Sequence, residues 1–78
     1  MQLLDWGYTW RRGIKARFDT FPHSVVTLRL INDYYFVYSV EWSEDDQVVT
    51  KADSEKMGLL INRELGMERE YLRRKSVV

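Results

Sequence analysis

From Leu4 to Phe18 the even positions are apolar: Leu4, Trp6, Tyr8, Trp10, Ile14, Ala16 and Phe18, with Arg12 the one interruption. The odd positions between them are polar or glycine: Asp5, Gly7, Thr9, Arg11, Gly13, Lys15 and Arg17. A period of two belongs to a β-strand with one buried face. Arg11-Arg12-Gly13 breaks the run and reads as a three-residue hairpin loop, with Gly13 supplying a positive φ. A second alternating stretch runs Val26, Leu28, Leu30, then Phe36, Tyr38, Val40, Trp42. Phe21-Pro22-His23 separates it from the first, and Asn32-Asp33 marks a turn inside it.

The register follows from parity. A two-residue loop at Asn32-Asp33 would put Leu28 and Tyr38 on opposite faces. A three-residue loop, Asn32-Asp33-Tyr34, pairs Leu30 with Phe36 and Leu28 with Tyr38 and keeps one face apolar, so the longer loop is expected. The same parity across the Pro22 turn sets Phe18 beside Val26 and Ile14 beside Leu30. Four strands then share one even-numbered apolar face. Most of the aromatic residues collect on that face as core, not as a stacking platform.

After Ser43-Glu44-Asp45-Asp46 the period changes. Thr50-Lys51-Ala52-Asp53 reads as a capping box, or Asp53 itself as an N-cap. Met57, Leu60, Ile61 and Leu65 recur at helical spacing and are expected to cover the apolar sheet face. Running one helix on to Lys75 would place Glu64 and Glu68 within the apolar arc, which is costly. Gly66 sits where a C′ residue ends a helix, so two pieces, about residues 53–65 and 67–75, are expected. The fold class is therefore α+β: a four-stranded antiparallel β-meander, then a C-terminal helix broken near Gly66 and packed on one sheet face. Residues 1–78 are read as a single domain.

Composition narrows the function classes. Twelve Lys and Arg balance twelve Asp and Glu, and there is no Cys and one His. Disulfide frameworks, thiolate metal sites and cysteine nucleophiles are excluded. No apolar run approaches the roughly 18 residues of a membrane-spanning helix, and Met1-Gln2-Leu3-Leu4-Asp5 does not read as a signal peptide. A cytoplasmic protein without membrane contact is expected. The neutral total hides an uneven distribution: residues 1–42 sum to +1, residues 43–56 to −3 and residues 57–78 to +2.

Candidate chemistry is sparse. His23 follows Pro22 in a turn and reads as a surface residue. Glu44-Asp45-Asp46 lacks the alternating ligands and central glycine of a calcium loop and reads as a solvated acidic connector. Carboxylates such as Glu41 or Glu64 have no visible catalytic partner. No catalytic residue, cofactor or metal is expected, and the chain reads as a non-enzyme.

The outer, odd-numbered face is more informative. It is expected to carry Lys15 opposite Arg29, with Arg11 and Arg17 nearby and Thr9, Thr27, Ser39 and Tyr35 around them. The same face would hold Val25, Ile31, Tyr35 and Val37, too much apolar surface for water. A protein partner or a second copy could bury it, as could the C-terminal piece folding over through Met67, Tyr71 and Val77. The leading expectation is a small interaction or regulatory protein, accessory or inhibitor-like, that self-associates through Val25, Ile31, Tyr35 and Val37. The alternative is single-stranded nucleic-acid binding, with Arg11, Lys15, Arg17 and Arg29 on phosphates and Tyr35 or an exposed Trp stacking on bases. In topology the meander-plus-helix is similar to the Whirly and PUR domains, which implies single-strand binding. Residues 61–74, with Gly66 as the turn glycine and Ile61, Leu65, Met67 and Leu72 at apolar positions, resemble a helix-turn-helix, which implies DNA binding at the C-terminus. Asn62 departs from that motif, which wants a small residue there.

Overall fold

The computed structural model describes residues 1–76, and Val77 lies outside them. Four strands form one antiparallel sheet in chain order: β1 (Leu3–Tyr8), β2 (Ile14–Phe18), β3 (Phe21–Ile31) and β4 (Tyr34–Glu41). Two helices follow, α1 (Lys51–Glu64) and α2 (Glu68–Ser76). The result is the two-layer α+β meander that the alternation predicts, with α1 on one sheet face.

Ile14, Ala16, Phe18, Phe21, Val26, Leu28 and Tyr35 project from the sheet into a core closed by Met57 and Ile61 of α1. Full burial of a side chain such as Met57 or Ile61 contributes about 1.5–3 kcal/mol, so these two anchor the helix. Leu60 and Leu65 pack at the margin. Thr50 and Asp53 form the capping box, the Thr50 hydroxyl accepting from the Asp53 amide and the Asp53 carboxylate from the Thr50 amide. At the other end Gly66 takes φ 76°. Its amide donates to the Arg63 carbonyl and that of Met67 to the Asn62 carbonyl, a Schellman ending. The break near Gly66 therefore lies where the sequence places it.

The registers differ from expectation in three places. The β2–β3 turn is Asp19-Thr20, not the Pro22 segment, and Phe21 is already in strand, buried opposite Phe18. Ile14 pairs with Leu28 and Ala16 with Val26, a shift of two residues that preserves the faces but sets Lys15 opposite Thr27, not Arg29. Pro22, His23 and Ser24 have no ladder partner in β2 or β4, which is why a central strand tolerates proline here.

The β3–β4 connection is the two-residue turn, Ile31 pairing with Tyr34 and Asn32 taking φ 56°. Leu28 then pairs with Val37, and a bulge at Tyr38 restores the original parity so that Val26 pairs with Val40. Between the turn and the bulge the faces of β4 are exchanged. Tyr35 (3% exposed) and Val37 belong to the core side. Their expected place on an outer partner-binding patch with Val25 and Ile31 is thus corrected. A second bulge in β1 sends Leu3 inward in place of Leu4.

α2 does not cover the outer face. Met67 packs on the core, and the Tyr71 ring lies 5.9 Å from that of Tyr34. The Tyr71 hydroxyl donates to the Glu55 carbonyl, so α2 docks on α1 and the nearby end of β4.

Candidate functional site

The sheet face away from α1 has no second layer over it among the described residues. The exchange of faces in β4 gives it two aromatic side chains that simple parity assigns to the core. Phe36 pairs with Arg29 across β3–β4, and Tyr38 sits in the bulge beside it. The Phe36 and Tyr38 rings meet edge to face at 6.4 Å, and Tyr38 is 53% exposed. The Arg29 guanidinium lies over the Tyr38 ring, 3.7 Å from its centroid. A cation that close to a ring face is held by the ring quadrupole and keeps its donors free at the edge.

Lys15, Thr27 and Ser39 form one row across β2, β3 and β4. Next to it Arg17 pairs with Asp5 across β1–β2. The hydrogen bonds from Arg17 hold the Asp5 carboxyl below the usual aspartate range and push Arg17 up. Arg11, Lys15 and Arg29 form no ion pair among the described residues. On the strands the outward acidic positions are Asp5 and Glu41; most other acidic residues lie in the 43–50 segment and the helices. The neutral total therefore does not describe this face, which is basic.

At one end of the face, residues 9–13 connect β1 to β2. Trp10, Arg11 and Arg12 make a tight turn in which Arg11 and Arg12 both take left-handed backbone angles, φ 63° and 62°. For residues with a Cβ this costs about 1–2 kcal/mol each. The conformation is held by the Thr9 amide donating to the Gly13 carbonyl (2.8 Å) and by the Tyr35 hydroxyl donating to the Arg12 carbonyl (2.7 Å). Burial raises the Tyr35 hydroxyl pKa above the usual tyrosine value. Gly13 is extended, φ −73°, so it supplies no positive φ. Its role is room: a Cβ there would collide with Thr9 Oγ1.

This turn presents Trp10, 86% exposed, with the Arg11 guanidinium 5.2 Å from its ring centroid. Between the turn and β3 lies a cleft of about 250 Å³ lined by Thr9, Trp10, Arg11, Gly13, Thr27, Arg29 and Leu30. Arg29 thus belongs to both the cleft and the stack on Tyr38.

All four basic residues named from sequence, Arg11, Lys15, Arg17 and Arg29, are on this side or its rim. Of the apolar four, Val25 is half-buried opposite Glu41 and Ile31 is exposed, while Tyr35 and Val37 are not on the face. Sequence reading missed Phe36, Tyr38 and the cleft beside Trp10. Their faces depend on a turn length and a bulge that alternation cannot show.

Elsewhere, Asp46 is not solvated as the acidic run suggests. It is buried and accepts hydrogen bonds from the Ser24 hydroxyl (2.6 Å) and the His23 amide (3.0 Å), pinning the connector to β3. His23, Glu41 and Glu64 are exposed, and no group of His, Cys, Asp or Glu among the described residues is arranged to hold a metal ion. No helix among them is long and apolar enough to cross a membrane. The helix-turn-helix spacing forms, with Gly66 at the turn, but the Asn62 side chain is buried in hydrogen bonds to Tyr35 and Gly58.

Fold and site together define a small α+β protein whose sheet leaves one basic, aromatic face uncovered. Residues 2–76 match the family model described as uncharacterised protein YuzH, and the chain belongs to that family. No curated protein and no solved structure matches it.

Proposed function

We propose that the uncovered sheet face binds single-stranded nucleic acid, and that the protein acts in the cytoplasm as a binding protein without catalysis. The observation that carries this reading is the Arg29–Tyr38 stack at 3.7 Å, with Phe36 alongside it on the same open face. Bases stack on aromatic rings and on the guanidinium planes that cover them whatever their sequence, and other cationic groups take the phosphates between them. Lys15, Arg29 and Arg11 supply those cations, while Arg17 at the margin of the face is paired with Asp5. An open sheet suits a single strand because its splayed bases lie flat on the surface, which a stacked duplex does not allow.

The test is titration of a fluorescent mixed-sequence oligonucleotide, DNA and RNA in turn, at about 50 mM salt, where the electrostatic contribution is strongest. Binding should weaken with salt, log K against log[salt] having a slope of about −2 for about three phosphate contacts. No binding at that salt overturns the proposal.

A second reading keeps a protein partner, or a second copy, on the same face. It is supported by Ile31, 41% exposed, and by Val25, six residues away on the same strand and the same uncovered side. Burial of these two with Phe36 and Tyr38 would stabilise an interface of modest size. Solution scattering that stays monomeric at high concentration counts against the self-associating form.

A further inference from the structure

We infer that the cleft beside Trp10 is a nucleotide subsite, taking one base together with its phosphate. This rests on the single-strand reading of the face but makes a separate claim about residues 9–13. At about 250 Å³ the cleft is smaller than the pockets that enclose a drug-sized ligand, so a nucleotide would seat part of itself inside and leave the rest over the mouth. Its lining has the three kinds of group that such a unit needs. Trp10 offers an exposed indole whose orientation is supported by Arg11 on its ring. Arg11 and Arg29 bring two guanidinium groups, the geometry that grips phosphate oxygens in pairs. Thr9 and Thr27 add hydroxyls.

The strain in the turn points the same way. Two successive residues with side chains occupy the left-handed region, held there by the Thr9–Gly13 and Tyr35–Arg12 hydrogen bonds. Hairpin turns with two successive left-handed residues ordinarily place Asn or Gly there, whereas here both positions are arginines. The strained turn presents Trp10 and Arg11 together at the mouth of a cleft, an arrangement of the kind found where strain serves binding. Arg29 is shared with the Tyr38 stack, so a strand lying on the face would place one nucleotide in the cleft and the next bases on Tyr38 and Phe36.

The experiment uses the full chain and adenosine 5′-monophosphate as probe, followed by Trp fluorescence and by amide chemical shifts. Adenosine and ribose 5-phosphate serve as arms lacking the phosphate and the base. We expect the monophosphate to bind, each half-ligand to bind more weakly, and shifts to centre on residues 9–13, Thr27 and Arg29. Trp10→Ala should weaken the monophosphate by about ten-fold or more, with recovery in Trp10→Phe. Because Trp10 is so exposed, its replacement leaves the core intact, which the unchanged denaturation midpoint would verify. Equal binding by wild type and Trp10→Ala, or shifts centred away from the cleft, overturns the subsite. Oligonucleotide binding without monophosphate binding overturns the subsite alone and leaves the face. Absence of both overturns the face and the subsite together.

Discussion

The hydroxyl of Tyr35, at the edge of the core, donates a 2.7 Å hydrogen bond to the carbonyl oxygen of Arg12. One side chain thus ties the strained β1–β2 turn to β4. Tyr35→Phe removes that bond and little else. The expected cost is about 1 kcal/mol in a denaturant-unfolding midpoint, because a neutral hydrogen bond contributes about that much net. Trypsin cleavage after Arg11 and Arg12 should accelerate as the turn loosens.

Asn62 acts on the same residue from the other side. Its Oδ1 accepts from the Tyr35 amide (2.8 Å), and its Nδ2 donates to the Tyr35 carbonyl (2.8 Å) and the Gly58 carbonyl (2.7 Å). β4 is an edge strand, and this amide satisfies its outward backbone groups as a neighbouring strand would. Asn62→Ala leaves buried partners unpaired and should cost about 2–4 kcal/mol. For a chain this short that is a large part of a stability of about 4–12 kcal/mol. Calorimetry or urea unfolding measures it.

Two glycines should respond in opposite directions. Gly66 takes φ 76° at the end of α1, so Gly66→Ala should destabilise by about 1–2 kcal/mol. Gly7 lies in β1 with open space around a Cβ, so Gly7→Ala should be neutral or slightly stabilising. Thermal melts of the two variants side by side give the comparison.

These positions also show how far the chain could be read unaided. Alternation places the strands, and Thr50, Asp53 and Gly66 mark the limits of α1, because period, caps and turn chemistry are local properties. The face of β4 is not local. Tyr35 and Val37 are as apolar as Phe36 and Tyr38, so parity along the strand is blind to which pair is buried. What favours the observed register is Asn32 in a tight turn, and Asn62 and Arg12, far along the chain, bonding to Tyr35. The odd-numbered basic residues Lys15, Arg17 and Arg29 were legible as an outer set because β2, and β3 from Ser24 onward, keep their parity. The cleft was not, since it needs left-handed angles at two arginines, which no propensity suggests. Gly13 was the one local signal, and it marks crowding against Thr9 instead of a turn angle.

Acid should weaken the fold in a defined window. Asp5 is held below the usual aspartate value by Arg17, Asp19 by the Gln2 amide, and Asp53 by Thr50. A carboxyl with a depressed folded-state pKa stabilises above its unfolded value, about 3.9, and that contribution is lost as pH falls below it. Urea midpoints should therefore be flat from pH 7 to about 5 and decline below about 4. Asp53→Asn keeps an acceptor for the Thr50 amide but removes the charge at the helix N-terminus, so it should lower the plateau slightly and flatten the acid limb.

The most direct test of the central claim is a two-dimensional amide spectrum of the labelled full chain, with and without a saturating single-stranded oligonucleotide at low salt. Binding on the uncovered face predicts that shifts concentrate on Lys15, Thr27, Arg29, Phe36 and Tyr38 and spare Met57, Ile61 and Asn62 in the helical layer. An unchanged spectrum, or shifts centred on α1 and α2, would contradict it.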